Sequence, residues 1–180
     1  KLFEYLAAKG IESHFVRKVD KLHQIVKRVD IIPLEVIVRN ITTGSLCKRI
    51  GVEEGLVLKH PLIEFSYKND ELGDPLIIED YAIQFGWATE EEIRKIKEVS
   101  LRVNETLKEF FLKRGVTLVD FKLEFGKDSS GNIILADEIS PDTCRFWDSS
   151  TGNKLDKDRF RKDLGTVLDA YREIWKRISE

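Results

Sequence analysis

The sequence is short of several things, and each shortage removes a class of protein. Of 180 residues only two are cysteine, Cys47 and Cys144, far apart and without CxxC spacing. Neither a disulfide framework nor a structural zinc site is expected, and a reducing, cytoplasmic setting fits that usage. No apolar run approaches the roughly 18 residues of a membrane-spanning helix, and no signal-peptide core opens the chain. Charge of one sign is not in excess: thirty basic residues face thirty-two acidic ones, for a net charge of -2, with the signs mixed along the chain. A basic stripe able to bind nucleic acid phosphates is therefore missing, and the expected partners are small molecules or proteins, with no nucleic acid and no membrane. Repeats, low-complexity tracts and long linkers are also missing. Methionine is absent altogether. The chain opens at Lys1 inside what reads as a helix already under way, with Leu2, Phe3 and Leu6 apolar and Gly10 as its stop, so a segment preceding Lys1 is expected.

What is present is an ordinary apolar content of 42%, enough for a real core. After the opening helix, HFVRKV and HQIVKRV read as short strands, and IIPLEVIVRN continues as a third. That third strand sets Leu34, Val36 and Val38 on one face and Glu35, Ile37 and Arg39 on the other. Ser45 is the expected N-cap of a short helix ending at Gly51. A further strand runs through IEFSY into a Gly-Asp-Pro turn. Thr89 and Glu92 form a capping box, followed by helical spacing through Ile93, Ile96, Val103, Leu107 and Phe110 to a stop at Gly115. VTLVDFKLEF and IILADEIS make a hairpin, and a last helix from about residue 156 carries Phe160, Leu164, Leu168, Tyr171, Ile174, Trp175 and Ile178 on its buried side. The order of elements argues for an α+β class of antiparallel sheets with packed helices.

The stretch LVDFKLEFG poses the functional question. In an extended chain Val119, Phe121, Leu123 and Phe125 share one face, while Asp120, Lys122 and Glu124 share the other. A charged row on a strand is either the solvated side of a half-buried sheet or the floor of a site. The hairpin partner ADEISPDTCR adds Asp137, Glu138, Asp142 and Arg145. Alternation puts Asp137 with Ile133, Leu135 and Ile139 on an apolar face, where an ionised carboxylate is costly unless paired or bound to a cation. Glu124 and Asp137 together suit Mg²⁺, which takes one or two protein carboxylates and fills its shell with water and phosphate oxygens; the alternative is a surface ladder of ion pairs. Arg39 followed by a Gly-Ser loop is a second cluster, suited to an anion. Lys68, Asn69 and Asp70 form a third, otherwise a solvated turn. His14, His23 and His60 show no ligand spacing, and Trp87, Trp147 and Trp175 read as packing residues.

These segments resemble a known family. LVDFKLEFG followed by ADEISPDTCR is similar to both signature segments of the SAICAR synthetases, and PLEVIVRNITTGS, KRIGVEEG, IEFSYKNDELGDP, FGWAT and LDKDRFRKDLG look like further family blocks in family order. The resemblance implies a kinase-related ATP-binding architecture and a purine-pathway ligase. Such an enzyme joins carboxyaminoimidazole ribonucleotide (CAIR) to L-aspartate with ATP, through an acyl phosphate. It implies that Arg39, Ser45, Lys68, Asp120, Lys122, Asp142, Arg145 and Arg161 hold substrate, with Asp120, Lys122 and Arg145 catalytic. Glu124 and Asp137 would hold Mg²⁺ against ATP, and Lys27 and Ile32 would border the adenine. Residues 1–33 would then be the remainder of an ATP-binding lobe and hinge, residues 34–180 the catalytic and substrate-binding lobe, and the assembly a homodimer. The family's N-terminal Tyr-x-Gly-Lys segment has no counterpart in the sequence. Two other readings stay open: a kinase-like phosphotransferase, which would not depend on aspartate, and a non-catalytic nucleotide-binding module.

Overall fold

The computed structural model describes residues 1–156, 158 and 167–179, and these form the expected α+β arrangement. One sheet has the strand order Leu76–Ile77, Val57–Tyr67, Asp30–Ile41, Val116–Lys127, Ile133–Ala136, with Cys144–Asp148 also pairing to Val116–Lys127, and a separate two-stranded ribbon joins Phe15–Lys18 to Gln24–Val26. The chain divides into two compact units, each assembled from three segments.

The first unit comprises Lys1–Ile37, Ile63–Val103 and Leu123–Glu138. Helix α1 (Leu2–Ala8) buries Leu2, Phe3 and Leu6, and the antiparallel ribbon of β1 (Phe15–Lys18) and β2 (Gln24–Val26) follows. The first half of β3 (Asp30–Ile41) and the end of β4 (Val57–Tyr67) contribute Leu34, Val36 and Phe65 to its core. β4 pairs with the short β5 (Leu76–Ile77). Helix α3 (Glu79–Gln84), too short to announce itself by periodicity, precedes α4 (Glu90–Leu112). The capping box of α4 is formed as the sequence predicts: the Thr89 N–H donates to Glu92 Oε2 at 2.9 Å, and the Glu92 N–H to Thr89 Oγ1 at 3.2 Å. The end of β6 (Val116–Lys127) pairs with β7 (Ile133–Ala136), setting Glu124 opposite Ala136.

The second unit comprises Val38–Leu62, Asn104–Lys122 and Ile139–Glu180. It contains α2 (Gly44–Ile50), the last turns of α4, β8 (Cys144–Asp148) and α5 (Val167–Ser179). Its core packs Phe111 on Phe146, with ring centroids 4.5 Å apart, and it also buries Val38, Val119 and Phe121. Arg177 of α5 donates to the Gly115 carbonyl and to Asp148, both at 2.7 Å. β6 and β8 pair antiparallel, with a register shift between Leu118 and Asp120 that brings Asp120 opposite Arg145.

Three expectations are corrected. The buried stripe of α5 is Ala170, Ile174 and Ile178, while Leu168 and Trp175 are exposed, so Trp175 is not a packing residue; Phe160 and Leu164 lie outside the described residues. Ser45 is not the N-cap of α2: Thr43 holds the extended backbone of that position, and Ser45 sits in the first turn. Asp137 is exposed rather than buried, because β7 ends at Ala136 and Asp137 takes a left-handed backbone, φ 56°, which breaks the strand alternation. Among the described residues no helix is long and apolar enough to cross a membrane.

Candidate active site

Within the second unit, β3, β6 and β8 each deliver one charged side chain to a single buried cluster. Arg39, only 2% exposed, donates from Nη1 to Asp120 Oδ2 at 2.7 Å and from Nη2 to Ser45 Oγ at 3.1 Å. Asp120 also accepts from Arg145 Nη1, at 2.8 Å to Oδ2 and 3.1 Å to Oδ1. Arg145 in turn donates from Nε to Asp158 Oδ2 at 2.9 Å. Burial pushes the Asp120 carboxyl above the usual carboxylate range against the pull of Arg145 and Arg39, so its charge depends on both guanidiniums. Burial opposes the charge of Arg145 as well, but Asp120 and Asp158 more than reverse that effect and raise it. The charged row of β6 is thus no solvated face.

A cleft of about 500 Å³ adjoins this cluster, lined by Gly44, Ser45, Cys47, Lys48, Glu54, Arg145 and Asp158. Gly44 is required there: its backbone has φ 58°, and a Cβ would lie 2.6 Å from Arg145 Nη2. The guanidinium therefore rests directly on main chain. Two cations, a hydroxyl and a concave wall make a receptor for a small anion, with guanidinium geometry favouring phosphate or carboxylate. Lys122 follows Asp120 on the same side of β6, is half-buried, and has its N–H bonded to the Thr143 carbonyl at 2.8 Å. Asp142 is exposed and accepts from the Tyr171 hydroxyl at 2.5 Å. Arg161 lies outside the described residues.

Within the first unit, Lys68 pairs with Glu124, which is 8% exposed. Burial opposes the Lys68 charge, but the hydrogen bond to Glu124 and the charges of Glu124, Asp137 and Glu35 outweigh it, and the ammonium is held above its ordinary range. Lys68 is exposed, yet it is ion-paired with Glu124, and three carboxylates act on it. Among the described residues no group of three or more His, Cys, Asp or Glu is arranged to hold a metal. The Glu124 and Asp137 oxygens are a hard donor pair of the kind Mg²⁺ accepts when most of its shell comes from elsewhere. Ile32 is buried, whereas Lys27 is exposed and tied through its N–H to the His14 carbonyl at 2.6 Å.

The structure thus gathers Arg39, Ser45, Asp120 and Arg145 in one group and Lys68, Glu124 and Asp137 in another. Sequence reasoning missed Asp158, Asp156, Gly44 and Glu35. Asp158 lies in the LDKDRFR block, where only the final arginine drew notice, and Gly44 passes for an ordinary loop glycine.

Comparison with known proteins bears on the chemistry. The family model described as SAICAR synthetase matches residues 1–178. A phosphoribosylaminoimidazole-succinocarboxamide synthase from Clostridium botulinum (strain Alaska E43 / Type E3) is 59% identical over 179 residues, covering 99% of this chain and 76% of that protein. The crystal structure of the synthase of the same name from Ehrlichia chaffeensis superposes with a TM-score of 0.96 at 48% identity, covering 99% of this chain and 76% of that one. A SAICAR synthetase solved in complex with ADP gives a TM-score of 0.95 at 52% identity, covering 98% of this chain and 76% of that one.

Proposed function

The chain belongs to the SAICAR synthetase family, and from that premise we propose that its Arg39–Asp120–Arg145 cluster, with Ser45, is the ribonucleotide-binding part of the active site. The activity is that of a carbon-nitrogen ligase of purine biosynthesis: CAIR and L-aspartate are condensed with the use of ATP. The observation that carries the site assignment is the ion network at the 500 Å³ cleft, where Arg145, fixed by Asp120 and Asp158, lines the wall beside Ser45 and Lys48, since a guanidinium held at a fixed angle is suited to an anionic ligand. Phosphoryl transfer to a carboxylate brings two anions together, so positioning and cationic charge dominate its catalysis.

In this reading the CAIR carboxylate takes the γ-phosphoryl group of ATP and ADP leaves. The aspartate amine then attacks the acyl carbon, phosphate departs with its electron pair, and an amide forms. Arg39, Arg145 and Ser45 bind and orient the ribonucleotide, while Asp120 holds both guanidiniums and Lys122 offsets charge at the reacting carboxylate. Asp142 and Arg161 complete the substrate side. Glu124 and Asp137 would hold Mg²⁺, which would supply charge to neutralise phosphate oxygens, and Lys68 pairs with Glu124. Residues 1–33 serve as the remainder of the ATP-binding lobe and hinge, with Lys27 and Ile32 bordering the base, and residues 34–180 as the catalytic lobe. ADP release by the purified protein with ATP and CAIR, with L-aspartate or Mg²⁺ omitted in turn, tests this. Release that requires both is the expected result; release indifferent to aspartate would leave a kinase or ATPase instead, and indifference to Mg²⁺ would remove Glu124 and Asp137 from a metal role.

A further inference from the structure

Arg145 is held on three sides, and only one of its holders belongs to the cluster assigned above. Nη1 is bonded to Asp120, Nη2 rests on Gly44, and Nε is bonded to Asp158. Asp158 lines the cleft, but its negative charge would repel an anionic ligand there, so it is not a direct contact for one. Its own placement is built in. Asp156, fully buried, accepts the Asp158 N–H on Oδ1 at 2.8 Å and the Phe146 N–H on Oδ2 at 2.7 Å. The Leu155 N–H also donates to the Phe146 carbonyl at 2.7 Å. One carboxylate therefore stitches the turn carrying Asp158 to β8 at the residue next to Arg145, and the second carboxylate sets the angle of the guanidinium.

We infer that Asp158 is a positioning residue for the ribonucleotide: it acts through Arg145, fixing the guanidinium orientation that the substrate meets, with Asp156 setting Asp158 in its turn. The inference rests on the reading that Arg145 binds the ribonucleotide. An arginine tethered only by Asp120 regains rotation about its outer bonds, and that freedom has to be lost again each time substrate binds. The effect belongs in the KM for the ribonucleotide and leaves the KM for ATP alone.

Steady-state kinetics on Asp158→Ala, Asp158→Asn, Arg145→Ala and the Asp158→Ala/Arg145→Ala double variant test it, with thermal melts run in parallel. Asp158→Ala is expected to raise the KM for CAIR about tenfold while the KM for ATP stays within about twofold. Asp158→Asn, which keeps an oxygen acceptor for Nε, is expected to recover most of the loss. Once Arg145 is already alanine, Asp158→Ala should add less than about twofold, because there is nothing left to position. An equal penalty in both backgrounds overturns the inference, as does a rise in both KM values that tracks the loss of melting temperature. If Asp158→Ala does not fold, the same cycle is read with Asp158→Ser, whose shorter side chain does not reach Nε. A normal CAIR KM in Arg145→Ala defeats the ribonucleotide assignment and the inference with it. An elevated one, with Asp158→Ala unaffected, defeats the inference alone.

Discussion

Replacing Gly44 by alanine is a sharp test of how the anion cluster is built. Two separable penalties follow from the structure. The backbone at φ 58° is a left-handed conformation, which costs an L-residue about 1–2 kcal/mol. The new Cβ would also stand 2.6 Å from Arg145 Nη2 and 3.0 Å from Cζ, closer than such atoms come. A free arginine would swing aside, but this one is bonded to Asp120 and Asp158. Moving it forfeits at least one charge-assisted hydrogen bond, about 1.5–3 kcal/mol. Together these predict a loss of about 2.5–5 kcal/mol in unfolding free energy. Urea denaturation of Gly44→Ala in the wild-type and Arg145→Ala backgrounds separates the two parts. With the guanidinium gone, only the backbone penalty of about 1–2 kcal/mol should remain. Equal losses in the two backgrounds, or a loss under about 1 kcal/mol in the wild-type one, would refute the claim that Arg145 is clamped against main chain.

Two further expectations concern neighbouring carboxylates. Asp120→Asn leaves two guanidiniums facing a neutral amide in a buried site, so it should destabilise the fold by about 3–5 kcal/mol in denaturant titrations; a change below about 1 kcal/mol would mean that Asp120 does not hold Arg39 and Arg145 together. Asp156 is pushed up from 3.8 to about 6, chiefly by burial. A folded pKa above the unfolded one means that the group favours the folded state most below pH 3.8 and loses that contribution as pH rises through about 6. The stability advantage of wild type over Asp156→Asn should therefore shrink by about 2.5 kcal/mol between pH 4 and pH 7. A constant gap across that range would show that Asp156 is ionised throughout.

The sequence carried much of this site because β6 is long and alternates from Val119 to Phe125. Its row of Asp120, Lys122 and Glu124 was legible as a possible floor, although burial alone decides between floor and solvated face. The same alternation misled at Asp137. A period-two pattern has no means of reporting that the next residue turns left-handed, least of all when that residue is aspartate rather than glycine. Thr43 and Ser45 are both competent caps, and only the backbone angles choose between them. Asp158 was invisible for a different reason. Its meaning comes from Arg145, thirteen residues away, and from a β6–β8 register that contains a shift. In α5 the spacing found the helix, but Ile174 and Trp175 are adjacent, and spacing alone does not say that Ile174 faces the core and Trp175 faces outward.

The charges of the ribonucleotide cluster also decide what the protein ignores. Arg39 and Arg145 are matched by Asp120 and Asp158, and the cleft's remaining charged lining residues, Lys48 and Glu54, carry opposite signs. A wall whose charges cancel exerts little pull at a distance. An anion gains little there until it makes direct contact with the wall, and ionic strength has little field to screen. Discrimination is left to short-range fit, in which a ligand competes for N–H groups already aligned by their carboxylates.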